Sequence, residues 1–138
     1  MSNYLPIIII FTLATGYGIW YQRSRGKVKA KVKRASNAPL VGNEIGGELG
    51  SRATFVQFSS AFCTPCRATR VLLTEISSNL ADVRHIEIDA EKNLDLVRKL
   101  DIRSTPTTLV LDKNGVEIGR AIGAPKRAEI LETLANIR

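Results

Sequence analysis

The feature that most constrains this chain is an unbroken run of eighteen uncharged residues near its N-terminus, from Tyr4 to Tyr21. A helix of that length extends roughly 27 Å, which approaches the thickness of the hydrocarbon core of a bilayer. Aromatic residues lie at both ends of the run, as is typical of a segment whose ends meet the membrane interface. The run therefore predicts a transmembrane anchor within residues 1–22.

A cleaved signal peptide is the main alternative for this run. Such a peptide carries positive charge before its apolar stretch and small residues at a cleavage site after it. Here no Lys or Arg precedes the run, and Trp20-Tyr21-Gln22-Arg23 follows it. The sequence therefore favours an anchor that is not removed.

The positive charge of the chain is concentrated beside the apolar run. The formal charge is +7, yet residues 23–34 hold seven basic residues and no acid, and the 13 basic and 13 acidic residues that follow cancel. This basic juxtamembrane tract predicts a single-pass protein of the cell membrane with its N-terminus outside and its soluble domain in the cytoplasm. Placement on the outer face is the alternative. Residues 4–34 are predicted to contact membrane lipid, and no nucleic acid is expected because the tract lacks stacking aromatics.

The soluble part divides into a linker and one domain. Residues 35–52, rich in Gly, Ser and Asn, predict a linker or a short edge strand around Leu40–Ile45. The domain over residues 53–138 reads β-α-β-α-β-β-α, with strands at 53–59, 83–89, 107–111 and 116–122 and helices at 63–80, after Asn93 and from Pro125 to Ile137. We expect strands joined through helices to be parallel, and the Asp112–Gly115 hairpin to add an antiparallel strand. The expected fold class is α/β, a mixed sheet with helices on both faces.

Two cysteines open the first helix of this domain, in the motif Cys63-Thr64-Pro65-Cys66. A helix N-terminus lowers the pKa of a thiol placed there, which predicts Cys63 as the attacking thiolate and Cys66, one turn further in, as the buried resolving thiol. The motif is also half of a zinc site, but the chain has only one histidine. A four-ligand zinc site within one chain is therefore excluded, and no metal or cofactor is predicted.

A second motif, Ser104-Thr105-Pro106-Thr107, lies directly before a predicted strand. Because proline has no N–H to give to a sheet, it is typical of a strand's first residues. A cis peptide bond before Pro106 would bring the backbone of Thr105 close to the cysteines. The two motifs together predict one site.

The segments FVQFSSAFCTPCR and IEIDAEKNLDLVRKLDIRSTPTTLVLDKNGVEIGRAIGA resemble the thioredoxin family over about residues 53–138. The tethered form resembles the membrane-anchored thioredoxin-like proteins of actinobacteria. The resemblance implies a thioredoxin-like fold with a shortened N-terminal strand and helix, preceded by one transmembrane helix. It implies that Cys63 is the nucleophile, Cys66 the resolving cysteine and Pro106 the cis-proline. The backbone of Thr105 is then expected to pair with a substrate strand that an apolar surface around Phe62, Pro65, Pro106 and Ala124 holds.

The chain departs from that family at several positions. Phe62 stands where thioredoxins usually carry Trp, Thr64-Pro65 replaces Gly-Pro, and Gln57 replaces a buried Asp that helps to move the proton of the second cysteine. Gln57 cannot titrate, so the proton must leave through water or another group. His85 lies where thioredoxins often have Lys and is a candidate for proton transfer near neutral pH, although we favour a partly exposed strand histidine with no role.

These observations predict a membrane-tethered thiol–disulfide oxidoreductase that reduces protein disulfides through a mixed disulfide. Its predicted partners are disulfide-containing protein substrates and a dithiol electron donor such as a reductase. Two alternatives stay open. One is the same chemistry on the outer face, in the maturation of exported proteins. The other is a non-catalytic thioredoxin-like docking module, whose cysteines are incidental or share zinc between two chains.

Overall fold

The structure, a computed structural model, describes residues 4–24, 28–30 and 39–137. Within these residues the chain forms five helices and five strands. In chain order they are α1 (Leu5–Ser24), β1 (Val28–Ala30), α2 (Gly42–Ile45), β2 (Ala53–Ser59), α3 (Thr64–Ser78), β3 (Val83–Asp89), α4 (Leu94–Lys99), β4 (Thr107–Asp112), β5 (Glu117–Ile122) and α5 (Arg127–Ala135).

Helix α1 contains the apolar run and continues three residues beyond Tyr21 to Ser24. By length and composition, the segment Leu5–Arg23 is apolar enough to cross a membrane. All of its described side chains are exposed, so the soluble domain does not cover it. In water this much exposed apolar surface would be unfavourable, which is consistent with a helix that lies in lipid.

The strands form one mixed sheet in the order β1-β5-β4-β2-β3. Strand β2 is parallel to β3 and antiparallel to β4, while β5 is antiparallel to both β4 and β1. The predicted order of elements from β2 to α5 is confirmed. The predicted hairpin is also present, and Gly115 supplies the positive φ of +79° that its turn requires.

The predicted parallel orientation of β4 is wrong, since β4 runs antiparallel to β2. Helix α4 has only six residues, which corresponds to about 9 Å, whereas the seven-residue strand β3 is about 23 Å long. A helix that short cannot carry the chain back to the start of the sheet. The chain therefore enters β4 at the same end of the sheet at which it left β3.

The edge strand predicted around Leu40–Ile45 is also wrong, because residues Gly42–Ile45 form the short helix α2. Leu40 and Ile45 are buried, and the N–H of Leu40 donates to the carbonyl of Gly115 at 2.9 Å, so this segment packs into the domain. The edge strand is β1, inside the basic tract, where the alternation of Lys and small apolar residues suits a strand. Other residues of the tract that were predicted to contact lipid lie outside the described residues, as does the N-terminal tail. They are Arg25, Lys27, Lys31, Lys33 and Arg34.

Two apolar cores lie on opposite faces of the sheet. Helices α2 and α4 cover the first core, whose members are Leu40, Ile45, Val56, Phe58, Ile88, Leu100, Ile102, Leu109 and Leu111. Helices α3 and α5 cover the second, whose members are Ala53, Phe55, Leu73, Ile76, Val83, Val110, Ile130 and Leu134. Alternate residues of β2 enter each core, as the period of two along a strand requires. The domain therefore has helices on both faces, as predicted.

Candidate active site

The two cysteines form a disulfide at the start of α3, with their Cα atoms 5.2 Å apart. Cys63 is the N-cap of the helix, and its sulfur accepts a hydrogen bond from the N–H of Cys66 at 3.2 Å. Cys63 is half-buried, whereas only 2% of Cys66 is exposed. The predicted asymmetry in burial is confirmed: Cys63 is the more exposed of the two cysteines.

The loop before β4 lies beside the loop that carries the cysteines. The hydroxyl groups of Ser60 and Thr105 are hydrogen-bonded at 3.0 Å, which joins the end of β2 to the start of β4. The peptide bond between Thr105 and Pro106 is cis. Thr105 is half-buried, while Pro106 is buried. The two motifs that are forty residues apart in sequence therefore lie at one end of the sheet.

The residues predicted to hold a substrate differ in how accessible they are. Phe62, directly before Cys63, is fully exposed, and Pro65 and Ala124 are exposed as well. Pro106 was predicted as part of the same exposed surface, but it is buried. An apolar contact surface on this edge therefore consists of Phe62, Pro65 and Ala124.

Gln57 lies directly beneath the second cysteine and is completely buried. Its side-chain amide donates to the carbonyl oxygen of Cys66 at 2.9 Å and to the hydroxyl of Ser59 at 3.0 Å. Its own carbonyl oxygen, Oε1, lies 3.1 Å from Nε2 of His85. All of the hydrogen-bonding groups of this buried amide are thus satisfied, which an uncharged side chain in a core requires.

These bonds determine the tautomer of His85. Because both amide hydrogens of Gln57 are donated elsewhere, its Oε1 must accept, and Nε2 of His85 must carry a hydrogen. In the neutral ring Nδ1 is then an acceptor, and it lies 3.2 Å from the hydroxyl of Thr74 on α3. Burial lowers the pKa of His85 below its ordinary value, with Glu87 raising it and Arg70 lowering it. The ring is therefore held in its neutral form near pH 7.

Comparison with known proteins identifies the family to which the chain belongs. The family model described as Thioredoxin matches residues 46–136, which is most of the chain and includes both motifs. The chain belongs to the thioredoxin family. The match begins seven residues before β2, so helix α1 and the short helix α2 both precede it.

Individual thioredoxins match the chain over parts of their length. The chain is 33% identical to thioredoxin H5 of rice (Oryza sativa subsp. japonica) over 72 residues, covering 52% of this chain and 53% of that protein. It is 30% identical to the thioredoxin of Mycolicibacterium smegmatis, covering 62% and 79%. The solved structure of thioredoxin NaTrxh from Nicotiana alata superposes with a TM-score of 0.57 at 26% identity, covering 64% and 75%. The chain thus spans about half to three fifths of the length of the rice thioredoxins it matches.

This thioredoxin domain also contains polar residues at the site that the motifs did not identify. Ser59, next to Gln57 along one face of β2, donates a hydrogen bond to the carboxylate of Glu87 on β3. Arg70 of α3 holds the same carboxylate with two bonds of 2.7 Å. The period of two along β2 and β3 is a sequence signal that places Ser59 and Glu87 on the face of Gln57 and His85.

The same residues line an open cleft beside the active site. Its volume is about 280 Å³, and it is lined by Ser59, Ser60, Ala61, Arg70, Glu87 and Asp89. Burial alone would raise the pKa of Glu87, but the hydrogen bonds from Arg70 and Ser59 outweigh burial and lower it. Glu87 is therefore ionised at neutral pH, and the thioredoxin domain has a charged, water-accessible end to its buried polar network.

Proposed function

We propose that this chain is a membrane-tethered thiol–disulfide oxidoreductase that reduces protein disulfides. The observation that carries the proposal is the Cys63–Cys66 disulfide at the N-terminus of α3, in which Cys63 is partly exposed and Cys66 is buried. Membership in the thioredoxin family supports this chemistry. The exposed side chains of Phe62 and Pro65 beside the sulfur provide an apolar contact for a substrate chain.

The proposed reaction balances over two exchanges. In the reduced protein the Cys63 thiolate attacks one sulfur of a substrate disulfide, forms a mixed disulfide and releases one substrate thiolate. The Cys66 thiolate then attacks the sulfur of Cys63, which releases the second substrate thiol and leaves the Cys63–Cys66 disulfide. A dithiol donor such as a reductase returns two electrons and two protons to the pair. The substrate is reduced and the donor oxidised.

Gln57 and His85 are proposed as positioning residues for the second exchange. Gln57 is bonded to the backbone carbonyl of Cys66, and His85 is the titratable side chain bonded to Gln57. The neutral ring donates from Nε2 to Oε1 of Gln57 and so holds the amide in position against the carbonyl of Cys66. The proton of the Cys66 thiol leaves to water in the cleft at Ser59 and Glu87, since Gln57 itself cannot take it.

The anchor and the charge tract carry the proposed location. Helix α1 is long and apolar enough to span a bilayer, and the seven basic residues of the tract follow it directly. Basic residues beside a membrane span remain in the cytoplasm. We therefore propose a cytoplasmic thioredoxin domain on a single-pass anchor whose N-terminus is outside.

The test of the chemistry uses the full-length chain in detergent micelles, with insulin as the disulfide substrate and dithiothreitol as the donor. Cys63→Ser is expected to reduce the rate to that of dithiothreitol alone. Cys66→Ser is expected to accumulate a covalent complex between Cys63 and the substrate. Ser78→Ala, at the far end of α3, is the matched control and should keep the full rate. Activity that survives Cys63→Ser would refute the assigned role, and an inactive but folded native chain would favour the docking module.

The test of sidedness uses intact cells and a membrane-impermeant thiol reagent. With the domain in the cytoplasm, Cys63 should react only after the cells are permeabilised. Labelling of Cys63 in intact cells would place the domain on the outer face, and the chemistry would then act on exported proteins. A second variant, Cys63→Ser/Cys66→Ser, measures labelling that does not come from the site.

A further inference from the structure

The connection between the anchor helix and the sheet is very short. Helix α1 ends at Ser24 and β1 begins at Val28, so only three residues lie between them. Four Cα-to-Cα steps extend at most about 14 Å, whatever path the chain takes. The end of the anchor therefore lies within that distance of Val28, and the domain cannot move freely away from the membrane surface.

The register of β1 places Val28 at the same end of the sheet as the active site. Val28 lies opposite Ala121 of β5, and Ala121 lies opposite Thr108 of β4. Thr108 is two residues after the cis-proline Pro106. From Val28, strand β1 runs to Ala30, opposite Gly119, and so away from the active site. The chain consequently enters the sheet from its active-site end.

The two ends of the sheet lie at different distances from Val28, where the chain enters it. Val28 is separated from Thr108 by two strand spacings, or about 10 Å. The Asp112–Gly115 hairpin closes the opposite end, and the four steps from Ala121 back to Glu117 alone extend about 13 Å along β5. The anchor therefore reaches the domain beside the active site, with the hairpin further along the sheet.

The exposed side chains at the two ends of the sheet also differ in polarity. At the active-site end, Phe62 is fully exposed and Ile122 is 48% exposed. At the hairpin, the turn exposes Lys113 and Asn114, and Val116 beside it is 38% exposed. An exposed phenyl ring is suited to the boundary between headgroups and acyl chains, whereas a charged turn is suited to water. Both the path of the chain and these side chains thus direct the active-site end toward the bilayer.

We propose that the active-site edge of the domain faces the membrane and that its substrates are disulfides in the juxtamembrane segments of membrane-bound proteins. This inference rests on the tethering in the proposed function and adds the substrate class. The chemistry is unchanged: Cys63 forms the mixed disulfide, Cys66 releases the reduced product, and the dithiol donor supplies the electrons. The short connection holds Cys63 at high effective concentration for a disulfide near the surface and withholds it from distant ones.

The orientation is tested by energy transfer in vesicles of phosphatidylcholine and phosphatidylglycerol that contain a headgroup-labelled acceptor lipid. A donor dye is attached to Cys63 in the Cys66→Ser chain, or to the hairpin in an Asn114→Cys chain that also carries Cys63→Ser and Cys66→Ser. The dye at Cys63 is expected to show the stronger transfer. Equal transfer or stronger transfer from the hairpin would overturn the proposal. A chain that fails to bind vesicles would overturn the tethering and, with it, this inference.

A matched control lengthens the connection without altering any described contact. About twenty Gly and Ser residues inserted after Arg25 form a flexible linker that no longer holds the domain at the surface. The difference in transfer between Cys63 and Asn114 is expected to disappear in this variant. If the difference in transfer persists, the side chains of the active-site edge orient the domain. That result would overturn the short connection as the cause of the orientation.

The substrate class is tested with two membrane-spanning peptides that carry the same disulfide reporter. One holds it directly outside the span, and the other holds it about 30 Å away on a helical spacer of about twenty residues. The native chain should reduce the near reporter about tenfold faster, and the lengthened chain should reduce both at similar rates. Equal rates with the native chain would overturn the proposal. A soluble reporter distinguishes this outcome from failure of the proposed function, in which no reporter is reduced.

Discussion

The two faces of the sheet each bury a polar group, and the two groups serve different purposes. On the α4 side, Arg120 forms a buried ion pair with Glu117, with bonds of 2.8 and 3.2 Å, and donates to the carbonyl of Leu100 at 3.0 Å. On the α3 side, Gln57 is bonded to Cys66 and His85. The first group joins β5 to the end of α4, and the second lies in contact with the redox centre.

This difference shows that burial of a polar side chain does not by itself indicate function. Both groups are almost completely buried, and both have satisfied hydrogen bonds. The partners of Arg120 are a carboxylate and backbone carbonyls, whereas the network around Gln57 includes the carbonyl of a reactive cysteine and a histidine that titrates. The predictions below change one face at a time, so that stability and redox behaviour can be separated.

The largest expected loss of stability follows Arg120→Met, because it removes the buried guanidinium that pairs with the carboxylate of Glu117. Removing one member of a buried pair costs about 3–5 kcal/mol in the free energy of unfolding. The double variant Arg120→Met/Glu117→Leu should recover most of that loss, since both members of the buried pair are then replaced by apolar side chains. Urea unfolding measures both values. A loss below about 1 kcal/mol in the single variant would show that the pair does not hold this face together.

Gly115→Ala tests the same face at the hairpin. A Cβ at this position would lie 2.1 Å from the carbonyl oxygen of Leu40, and φ is +79°. We expect the free energy of unfolding to fall by more than about 2 kcal/mol, which exceeds the cost of a left-handed residue alone. Gly46→Ala is the matched control: its φ is +72°, but no atom lies within 4 Å of the added Cβ. Equal losses in the two variants would show that the contact with Leu40 is unimportant.

On the α3 face, Gln57→Leu leaves the carbonyl of Cys66 and Nε2 of His85 without their partner. The expected loss is about 1–3 kcal/mol, together with a slower second exchange measured by the lifetime of the mixed disulfide. Thr108→Val is the control, because the Thr108 hydroxyl is buried on the neighbouring strand with no hydrogen-bond partner among the described residues. That variant should be neutral or more stable. An unchanged mixed-disulfide lifetime in Gln57→Leu would remove Gln57 from the mechanism.

The smallest predicted effect is a dependence of stability on pH through His85. Its pKa is lowered in the folded state, mainly by burial, and it faces Glu87 of its own strand and Arg70 of α3. Below pH 6.5 the unfolded chain therefore binds a proton that the folded chain does not. The free energy of unfolding decreases as the pH is lowered, until the ring also protonates in the folded chain. Glu87, whose pKa is also lowered, contributes only at more acidic pH. His85→Gln should remove the pH dependence of the free energy of unfolding, measured by urea unfolding, between about pH 5 and 7. If the dependence persists, another group is responsible for it.

Much of the fold could be predicted because local patterns determine it. The alternation in Val83–Asp89 and the apolar stripe of α3 require only neighbours in sequence, and both elements lie where they were predicted. The direction of β4 could not be predicted in this way, because it depends on whether α4 is long enough to cross the sheet. The strand Val28–Ala30 was not predicted because it lies among the lysines of the basic tract, which suit a membrane surface as well as an edge strand.

The candidate site likewise contains residues that could be predicted from the sequence and residues that could not. Cys63 and Cys66 were identified from their spacing, and their unequal burial followed from the position of the motif at the start of a helix. Ser59, Glu87 and Arg70 were not identified, since none of them belongs to a motif. They meet only because β2 and β3 pair in one register and α3 packs across them.

By itself, the sequence determined that an apolar span precedes one small α/β domain and that a dithiol opens its first long helix. These properties depend on hydrophobicity, helix geometry and residue spacing, which act over a few turns of chain. Only the tertiary structure decided that Gln57 links His85 to Cys66, and that the basic tract enters the sheet beside the active site. Such contacts depend on strand order and register, which are set by how the whole chain packs around two cores and not by any one segment.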